Sequence, residues 1–278
     1  MKIKEILSIS FLLILIVLLG VDIYQQSRNK QAEPQEVIVE KPTEEPVGNK
    51  IAEVENTSGY VVLKDTIVNS VPLHIYKPHY DRVELACGPD IPDGAYHNEY
   101  FYCVAGAFTG VGYENGFSHD YIAGDHVSEG VRYNGYSCPR NTGAFVFYNG
   151  HYDFLYLYYS HELELASHAN GMGFAQEMIV HNGGLVQTTR DDSNSNVFRV
   201  LCDIDSELYI VESIEAVSFG TFKKCLQALN VTDALYLDMG LWAYSWYRDA
   251  EGELHRPYPE YRGRLTNALV FVGRNTQL

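Results

Sequence analysis

Residues 218–240, SFGTFKKCLQALNVTDALYLDMG, contain the signals that decide the fold. The first half predicts an amphipathic helix, because its large apolar residues recur at spacings of three and four: Phe219, Phe222, Leu226 and Leu229. Ser218 is a suitable N-cap and Asn230 a suitable stop signal. The second half, residues 234–237, is apolar and predicts a buried strand that follows the helix directly.

Asp238 stands where this strand ends, and Gly240 follows two residues later. A carboxylate is costly to bury unless a partner compensates its charge. Asp238 therefore either binds backbone amides in a turn or takes part in chemistry, and the sequence leaves both interpretations open. In sheets with parallel strands, sites often open at the C-terminal ends of the strands, which by analogy favours a site here.

The rest of the domain is dominated by strand and turn signals. Residues 145–148 and 151–159 flank Asn149-Gly150, a pair that suits the tight type I′ turn of a hairpin. Further hairpins are predicted over residues 178–186 and from 197–204 to 208–212, and a last strand over 268–272. The sequence predicts an α+β fold, a mixed and mainly antiparallel β-sheet domain with few helices.

The N-terminal residues predict a membrane anchor followed by a tether. Lys2 and Lys4 precede an uncharged apolar run at residues 6–21, which favours an uncleaved anchor or a signal within residues 1–24. Residues 25–58 are rich in Gln, Glu, Lys and Pro and predict a flexible linker. The predicted domain, residues 59–278, then lies outside the inner membrane, in the periplasm or extracellular.

Charge and cysteine content restrict the partners. The chain has 36 acidic and 20 basic residues and a formal charge of −16, which argues against binding to nucleic acid. An anionic substrate would therefore need local arginines.

Cys103, Cys202 and Cys225 lie in apolar segments and are expected in the core, whereas a disulfide between Cys87 and either Cys138 or Cys103 stays open.

Two further charged residues occur in apolar surroundings. Arg199 lies inside the predicted strand NVFRVLC, and Glu177 precedes the strand that begins at Met178. Arg199 is expected either to form a salt bridge with Asp238 or Glu177, or to clamp a phosphate or carboxylate with its planar fork of donors. Glu177 has the same two interpretations, a structural pair or a functional acid.

An aromatic segment, LWAYSWYRD at residues 241–249, follows Gly240 and contains both tryptophans of the chain. Trp242 and Trp246 are predicted either to fill the core or to form a wall on which a sugar ring stacks. Ser245 and Arg248 lie between and beside them and are candidate substrate-binding residues. The segment thus makes a carbohydrate a candidate ligand.

One histidine-rich loop invites a metal interpretation. His119, Asp120, Asp125 and His126 are closely spaced and carry ligand types that zinc and related metals accept. A flexible polar loop explains these residues equally well. We therefore predict no metal site and no cofactor, and keep a metal-dependent phosphodiesterase as an alternative.

Residues 100–272 resemble the phosphodiester glycosidase family. The resemblance rests on four segments in order: 103–110 with a later Ser-Glu-Gly at 128–130, 178–183, 198–202 before 208–211, and the helix followed by ALYLDMG at 234–240. It implies that Arg199 matches the family's strand arginine and Asp238 the acid that opens its glycine-rich loop. Met239, Leu241 and Trp242 depart from the loop's usual glycines and serine, in a manner similar to a branch of the family found in Bacteroides-type bacteria.

The resemblance implies an extracytoplasmic hydrolase that cleaves a glycosidic phosphodiester in envelope or dietary glycans, with a carbohydrate phosphodiester as substrate. The expected catalytic residues are Asp238, Arg199 and Glu177. Those expected to bind substrate are Trp242, Ser245, Trp246, Arg248, Asn182 and Thr109. The alternative is a non-catalytic envelope module that binds glycan through the same aromatic segment.

Overall fold

The computed structural model describes residues 59–114, 117–240, 243–258 and 265–273. The predicted anchor and linker lie outside these residues, as does Trp242. Among the described residues, no helix is long and apolar enough to cross a membrane. All described residues fall within one unit, Val54–Leu278.

The described chain consists mainly of short strands with two α-helices and one turn of 3₁₀-helix at Gly88–Asp90. The helices are α1 (Ser160–His168) and α2 (Phe219–Ala228). The strands are β1 (Tyr60–Val68), β2 (Val71–His79), β3 (Arg82–Cys87), β4 (Tyr100–Ala105), β5 (Thr109–Glu114), β6 (Phe117–Ile122), β7 (His126–Ser128), β8 (Val131–Tyr133), β9 (Gly143–Tyr148), β10 (His151–Tyr156), β11 (Met172–Gln176), β12 (Met178–His181), β13 (Gly184–Leu185), β14 (Ser195–Asn196), β15 (Arg199–Ile204), β16 (Glu207–Ser213), β17 (Val217–Ser218), β18 (Asp233–Leu237), β19 (Ser245–Arg248), β20 (Leu254–His255) and β21 (Asn267–Val272).

The described strands form three larger sheets and two ribbons. A seven-stranded sheet has the order β1-β2-β16-β15-β18-β12-β13, and two five-stranded sheets have the orders β10-β9-β11-β7-β8 and β20-β19-β4-β21-β3. The ribbons are β5–β6 and β14–β17. The predicted strand that ends before Asp238 is β18, and it lies inside the seven-stranded sheet between β15 and β12.

The prediction of an α+β domain dominated by antiparallel strands is confirmed, but its mixed sheet is wrong for the described residues. Every ladder in them is antiparallel, and only the isolated bridge from Ala123 to Tyr136 is parallel. Tight turns produce the antiparallel pairs of successive strands, and the pairs between strands distant in sequence, such as β15 with β18, are antiparallel as well.

The predicted hairpins are confirmed, and their turns have the backbone that the sequence requires. Asn149 and Gly150 have φ values of 53° and 76°, which is the left-handed pair of a type I′ turn. The turns at Asn182-Gly183 and Asp205-Ser206 also have positive φ at both residues. These turns fix the registers of β9–β10, β12–β13 and β15–β16.

The seven-stranded sheet buries both faces, because strand side chains alternate between them. Leu235 and Leu237 of β18 pack on one face in a cluster that also contains Tyr102 and Phe271 of the third sheet. On the other face, Tyr236 packs in a cluster with α2.

The predicted helix is confirmed as α2, and the Ser218 side chain accepts the amide of Thr221. The predicted core cysteines, Cys103, Cys202 and Cys225, are buried free thiols.

Candidate functional site

Asp238 lies immediately beyond β18, with only 6% of its surface exposed. Its Oδ2 accepts the backbone amide of Thr109 at 2.7 Å, and its Oδ1 accepts the amide of Met239 at 3.0 Å. Burial raises the pKa of this carboxyl from its ordinary 3.8 to about 6, although the two amides and the charge of Arg190 act in the opposite direction. A carboxyl with this pKa changes its charge close to neutral pH.

Arg190 lies within electrostatic range of Asp238, and its charge lowers the pKa of the carboxyl. The guanidinium carbon lies 4.1 Å from the centre of the Tyr236 ring, 5.2 Å from that of Phe219 and 5.5 Å from that of Phe108. Such stacking keeps an arginine side chain in one orientation while leaving the edges of its fork available as donors. Arg190 is therefore held by rings on three different segments.

Glu177 holds one edge of the Arg190 fork. Its Oε2 accepts Arg190 Nε at 2.6 Å, and its Oε1 accepts the hydroxyl of Thr188. Glu177 is buried between β11 and β12, and its carbonyl accepts the amide of Tyr236, which links it to β18. Both carboxylate oxygens of Glu177 are thus engaged, so it orients Arg190 instead of offering a free acid.

Arg190 Nη2 is buried and has no hydrogen-bond partner within the described part of the chain. A buried, charged donor without an acceptor is unfavourable unless something else supplies one. An anion placed against this edge would satisfy it. The arrangement accordingly combines a carboxyl of raised pKa with an oriented cation that still has a free donor.

The backbone that carries Arg190 is fixed to α2. Asp192 accepts the amide of Gly220, in the first turn of α2, at 2.6 Å, which satisfies a donor that the helix leaves without an internal partner. Ser193 donates its amide to Asp191 at 2.8 Å and so tightens the same loop. Residues 187–194 are mostly exposed, yet these bonds restrict the position of Arg190.

Arg199 does not form the predicted pair with Asp238 or Glu177. Its Nε donates to Glu212 Oε2 at 2.6 Å, and the hydroxyl of Tyr258 donates to the other oxygen of Glu212. In the register of β15 with β18, Arg199 lies opposite Leu237. Directly opposed residues point to the same face of a sheet, so Arg199 lies on the face of Leu237. That face is not the one on which Tyr236 contacts Arg190, and Arg199 itself is only 1% exposed.

The aromatic segment is not the predicted sugar-binding wall where the structure describes it. Trp246 is completely buried and packs with Cys103, Ala268 and Val270, while its indole nitrogen donates to the carbonyl of Pro92 at 3.0 Å. The reason is that residues 245–248 form β19, an interior strand of the third sheet. Trp242 lies outside the described residues.

The other predicted binding residues are divided between the site and positions away from it. Thr109 is in the site, because its amide binds Asp238. The backbone amide of Asn182 donates to the side chain of Asp233, at the start of β18, at 3.2 Å. Asp238 follows the other end of this strand, so the length of β18 separates Asn182 from Asp238 by roughly 15 Å.

Ser245 and Arg248 belong to β19. Ser245 is buried there. Arg248 donates to the carbonyls of Gly94 and Gly252 at 2.5 and 3.3 Å. These bonds tie the Arg248 guanidinium to two loops.

The histidine-rich loop does not assemble a metal site. His126 is buried against Tyr133 and faces the carbonyl of Gly124 at 3.1 Å, while Asp125 binds Arg132 at 3.3 Å. Among the described residues, the one group whose three ligand atoms lie within 4.8 Å of one another is Asp249, Glu253 and His255, on the β19–β20 hairpin. The metal-dependent alternative therefore loses the ligand set on which it was based.

Sequence reasoning missed Arg190, which is the cation next to Asp238. It lies in the polar segment QTTRDDSNSN, where an arginine is unremarkable. Nothing in its spacing indicates that Tyr236, Phe108 and Phe219 will surround it. Only the folded chain shows these neighbours.

The raised pKa of Asp238 predicts a specific pH dependence of stability. The folded state holds the Asp238 proton more tightly than the unfolded state, so stability should fall as pH rises from about 4 to about 6 and then level off. At 1.36 kcal/mol per pKa unit, this group alone changes the free energy of unfolding by up to about 3 kcal/mol.

Urea unfolding of the wild type and Asp238→Asn at pH 4, 5, 6 and 7 measures this effect as the difference between the two proteins. We expect the wild type to lose stability relative to the variant as pH rises. A difference that stays constant with pH would show that Asp238 has an ordinary pKa.

The fold is similar to that of the catalytic domain of zebrafish N-acetylglucosamine-1-phosphodiester alpha-N-acetylglucosaminidase, auto-inhibited by pro-peptide, with a TM-score of 0.51 and 15% sequence identity over 82% of this chain and 86% of that chain. A hypothetical protein from Synechocystis matches with a TM-score of 0.47 and 12% identity over 77% of this chain and 62% of that chain. No protein-family model and no curated protein matches the sequence. At 15% identity, the similarity to the zebrafish domain shows a shared fold.

Proposed function

We propose that this protein is a hydrolase that cleaves the bond between a sugar and a phosphodiester. The observation that carries the proposal is the pairing of Asp238, a buried carboxyl with a pKa of about 6, with Arg190, an oriented guanidinium whose Nη2 lacks a partner in the described residues. The Asp238 carboxylate can stabilise positive charge on a sugar, and the Arg190 guanidinium can bind a phosphate. The similarity to the zebrafish enzyme supports a hydrolase fold.

Cleavage of the bond between a sugar and a phosphodiester requires few catalytic groups beyond a carboxylate and a guanidinium. The group that leaves the anomeric carbon is a phosphate monoester, which needs less protonation than an alkoxide. The transition state places positive charge on the sugar ring and negative charge on the departing phosphate. A carboxylate near the ring and a guanidinium at the phosphate stabilise both charges at once.

The roles follow from the geometry. Arg190 binds the phosphate through the edge that Glu177 leaves free, and Glu177 acts as a positioning residue. Above about pH 6, Asp238 is ionised and accepts a proton from the water that attacks the anomeric carbon. The carbon–oxygen bond to the phosphate breaks, and the products are the free sugar and a phosphate monoester.

The identity of the sugar and the location of the protein belong to the same proposal. The name of the zebrafish enzyme describes an N-acetylglucosaminidase that acts on a 1-phosphodiester, so N-acetylglucosamine is the first sugar to test. We further propose that the domain works outside the inner membrane. That location rests on Lys2, Lys4 and the apolar residues 6–21.

The proposed function is tested by incubating the full chain with sugar 1-(methyl phosphates) of N-acetylglucosamine, glucose, galactose and mannose. Release of free sugar together with methyl phosphate from at least one of them is the expected result. The matched nitrophenyl glycosides, which lack phosphate, should react more slowly. Absence of sugar release from all four phosphodiesters across pH 5 to 8 would exclude the proposal.

Replacing Arg190 with lysine should raise KM for the methyl phosphate substrate on the order of tenfold, because lysine keeps the charge that balances Glu177 but loses the planar fork. KM for the nitrophenyl glycoside should stay within about twofold, since that substrate has no phosphate. Initial rates over a range of substrate concentrations measure both values.

Arg132→Lys is the matched control, because Arg132 also forms ion pairs, with Asp125 and Glu164. It should leave both KM values unchanged. An equal loss on both substrates in Arg190→Lys would assign Arg190 a structural role only.

A further inference from the structure

The β5–β6 ribbon starts at the residue that holds Asp238. Thr109, whose amide binds the carboxyl, is the first residue of β5. The next residue, Gly110, lies opposite Tyr121 of β6, and Gly112 lies opposite His119. Consecutive Cα atoms are about 3.8 Å apart, so Gly110 lies one residue from the amide that binds Asp238.

Two glycines of β5 allow aromatic rings to lie across the ribbon. A Cβ at Gly110 would come within 2.3 Å of the Tyr121 ring, and one at Gly112 would come within 2.8 Å of the His119 ring. Neither glycine has the positive φ that would explain glycine through backbone conformation. The absence of a side chain is what lets both rings lie against the backbone.

A third glycine places a third ring beside them. A Cβ at Gly135 would come within 1.8 Å of the carbonyl oxygen of Gly124, so only glycine permits this close approach of two backbone segments. The approach is secured by the Gly124 amide, which donates to the carbonyl of Tyr136 at 3.0 Å. Tyr136 is thereby fixed against the end of β6.

The three rings form one surface, which we call the aromatic surface: His119, Tyr121 and Tyr136. The ring centres of Tyr121 and Tyr136 are 4.2 Å apart, and that of His119 lies 6.1 Å from Tyr121 and 6.5 Å from Tyr136. Tyr136 is 56% exposed, and the other two are partly exposed. The Tyr121 and His119 rings lie against the glycine backbone of β5, and the surface is open to solvent on its other side.

We propose that the aromatic surface binds a sugar ring of the substrate. This inference rests on the proposed function and deepens it, since it assigns the sugar a place next to Asp238. The axial C–H groups of a pyranose are weakly positive and suit the negative face of an aromatic ring. The hydroxyls of Tyr121 and Tyr136 and the nitrogens of His119 supply polar contacts at the edges of the surface.

A structural explanation of the same rings is that they cover glycines and so stabilise a two-stranded ribbon. That explanation accounts for Tyr121 and His119, each of which lies over a glycine of β5. It does not account for Tyr136, which reaches the surface from another segment and keeps more than half of its area in solvent. Tyr136 therefore separates the two explanations experimentally.

The test compares Tyr136→Ala with wild type in the full chain. With N-acetylglucosamine 1-(methyl phosphate), KM should rise about tenfold, the loss expected for one ring stacked on a sugar. Tyr136→Phe should keep most of the affinity because it keeps the ring. The melting temperature of both variants should equal that of the wild type.

Tyr96→Ala is the matched control, because Tyr96 is an 81% exposed tyrosine in the loop before β4. It should leave KM unchanged. The proposal is overturned if Tyr136→Ala has the same KM as wild type, or if its KM rises only together with a fall in melting temperature that Tyr136→Phe does not show.

Failure of the proposed function would be recognised separately. If no glycosyl phosphodiester is hydrolysed, the methyl α-glycosides of the same four sugars are titrated against wild type and Tyr136→Ala by NMR. Binding that only the wild type shows would retain the aromatic surface as a sugar site in a protein without this activity. No binding of any glycoside to the wild type would overturn the inference.

Discussion

Asp238→Asn is expected to lower kcat for a glycosyl phosphodiester by about a thousandfold, while the protein stays folded. Asparagine has nearly the same size as aspartate but cannot take a proton from water or balance positive charge on a sugar. Removal of one such acid–base group typically costs a factor of 10²–10⁴. Steady-state rates at pH 7, with circular dichroism as a check on the fold, measure the effect.

Asp233→Asn is the matched control for this prediction. Asp233 is the first residue of the same strand, β18, and burial likewise raises the pKa of its carboxyl. It binds His181 at 2.7 Å and lies at the end of the strand away from Asp238. Asp233→Asn should keep kcat within a few-fold of wild type, and wild-type turnover in Asp238→Asn would remove Asp238 from the mechanism.

The wild-type rate should also depend on pH in one direction. Asp238 must be ionised to accept a proton, so kcat/KM should rise as pH increases through about 6. A rate that falls over the same interval would instead assign Asp238 the role of general acid.

Breaking the Arg199–Glu212 pair should give the largest loss of stability. Both side chains are almost fully buried, with Nε and Oε2 2.6 Å apart, so Glu212→Ala leaves an uncompensated guanidinium in the core. Such a change typically costs about 3–5 kcal/mol of unfolding free energy. Replacing both partners, as in Arg199→Met with Glu212→Leu, should restore most of that loss because no buried charge remains.

Urea unfolding measures these values, with Glu207→Ala as the control. Glu207 pairs with Lys77 at 2.5 Å, but the side chains keep 52% and 30% of their surface exposed, so loss of the pair should cost no more than about 1 kcal/mol. A Glu212→Ala variant as stable as Glu207→Ala would contradict a structural role for the pair. Activity of the double variant also tests Arg199, because a phosphate-binding residue could not be replaced by methionine without loss of turnover.

Local sequence patterns were sufficient for one of the two described helices and for three of the hairpins. The helix α2 follows from the spacing of its apolar residues and from Ser218, and the hairpins follow from Asn149-Gly150 and Asp205-Ser206, whose residue types tolerate the positive φ of tight turns. These signals depend on residues near one another in the chain. The expectation of a mixed sheet was wrong because the direction of pairing between strands distant in sequence cannot be read from local patterns.

The candidate site shows the same division. Asp238 could be predicted, because a carboxylate after a buried strand is unusual wherever the strand lies. The partner of Arg199 could not, since Glu212 becomes its neighbour only through the register of β15 with β16. Whether Trp246 fills the core or lines a site stayed open, because the sequence shows that a tryptophan is present but not that β19 lies inside a sheet.

The sequence by itself determined the helix α2, the hairpin turns and the acid at the end of β18. Tertiary structure alone decided which arginine lies next to that acid, which aromatic rings remain exposed and which become core. The physical reason is that propensity and turn chemistry act over a few residues. Burial, pKa and ion pairing depend on which distant segments the antiparallel registers bring onto the same face of a sheet.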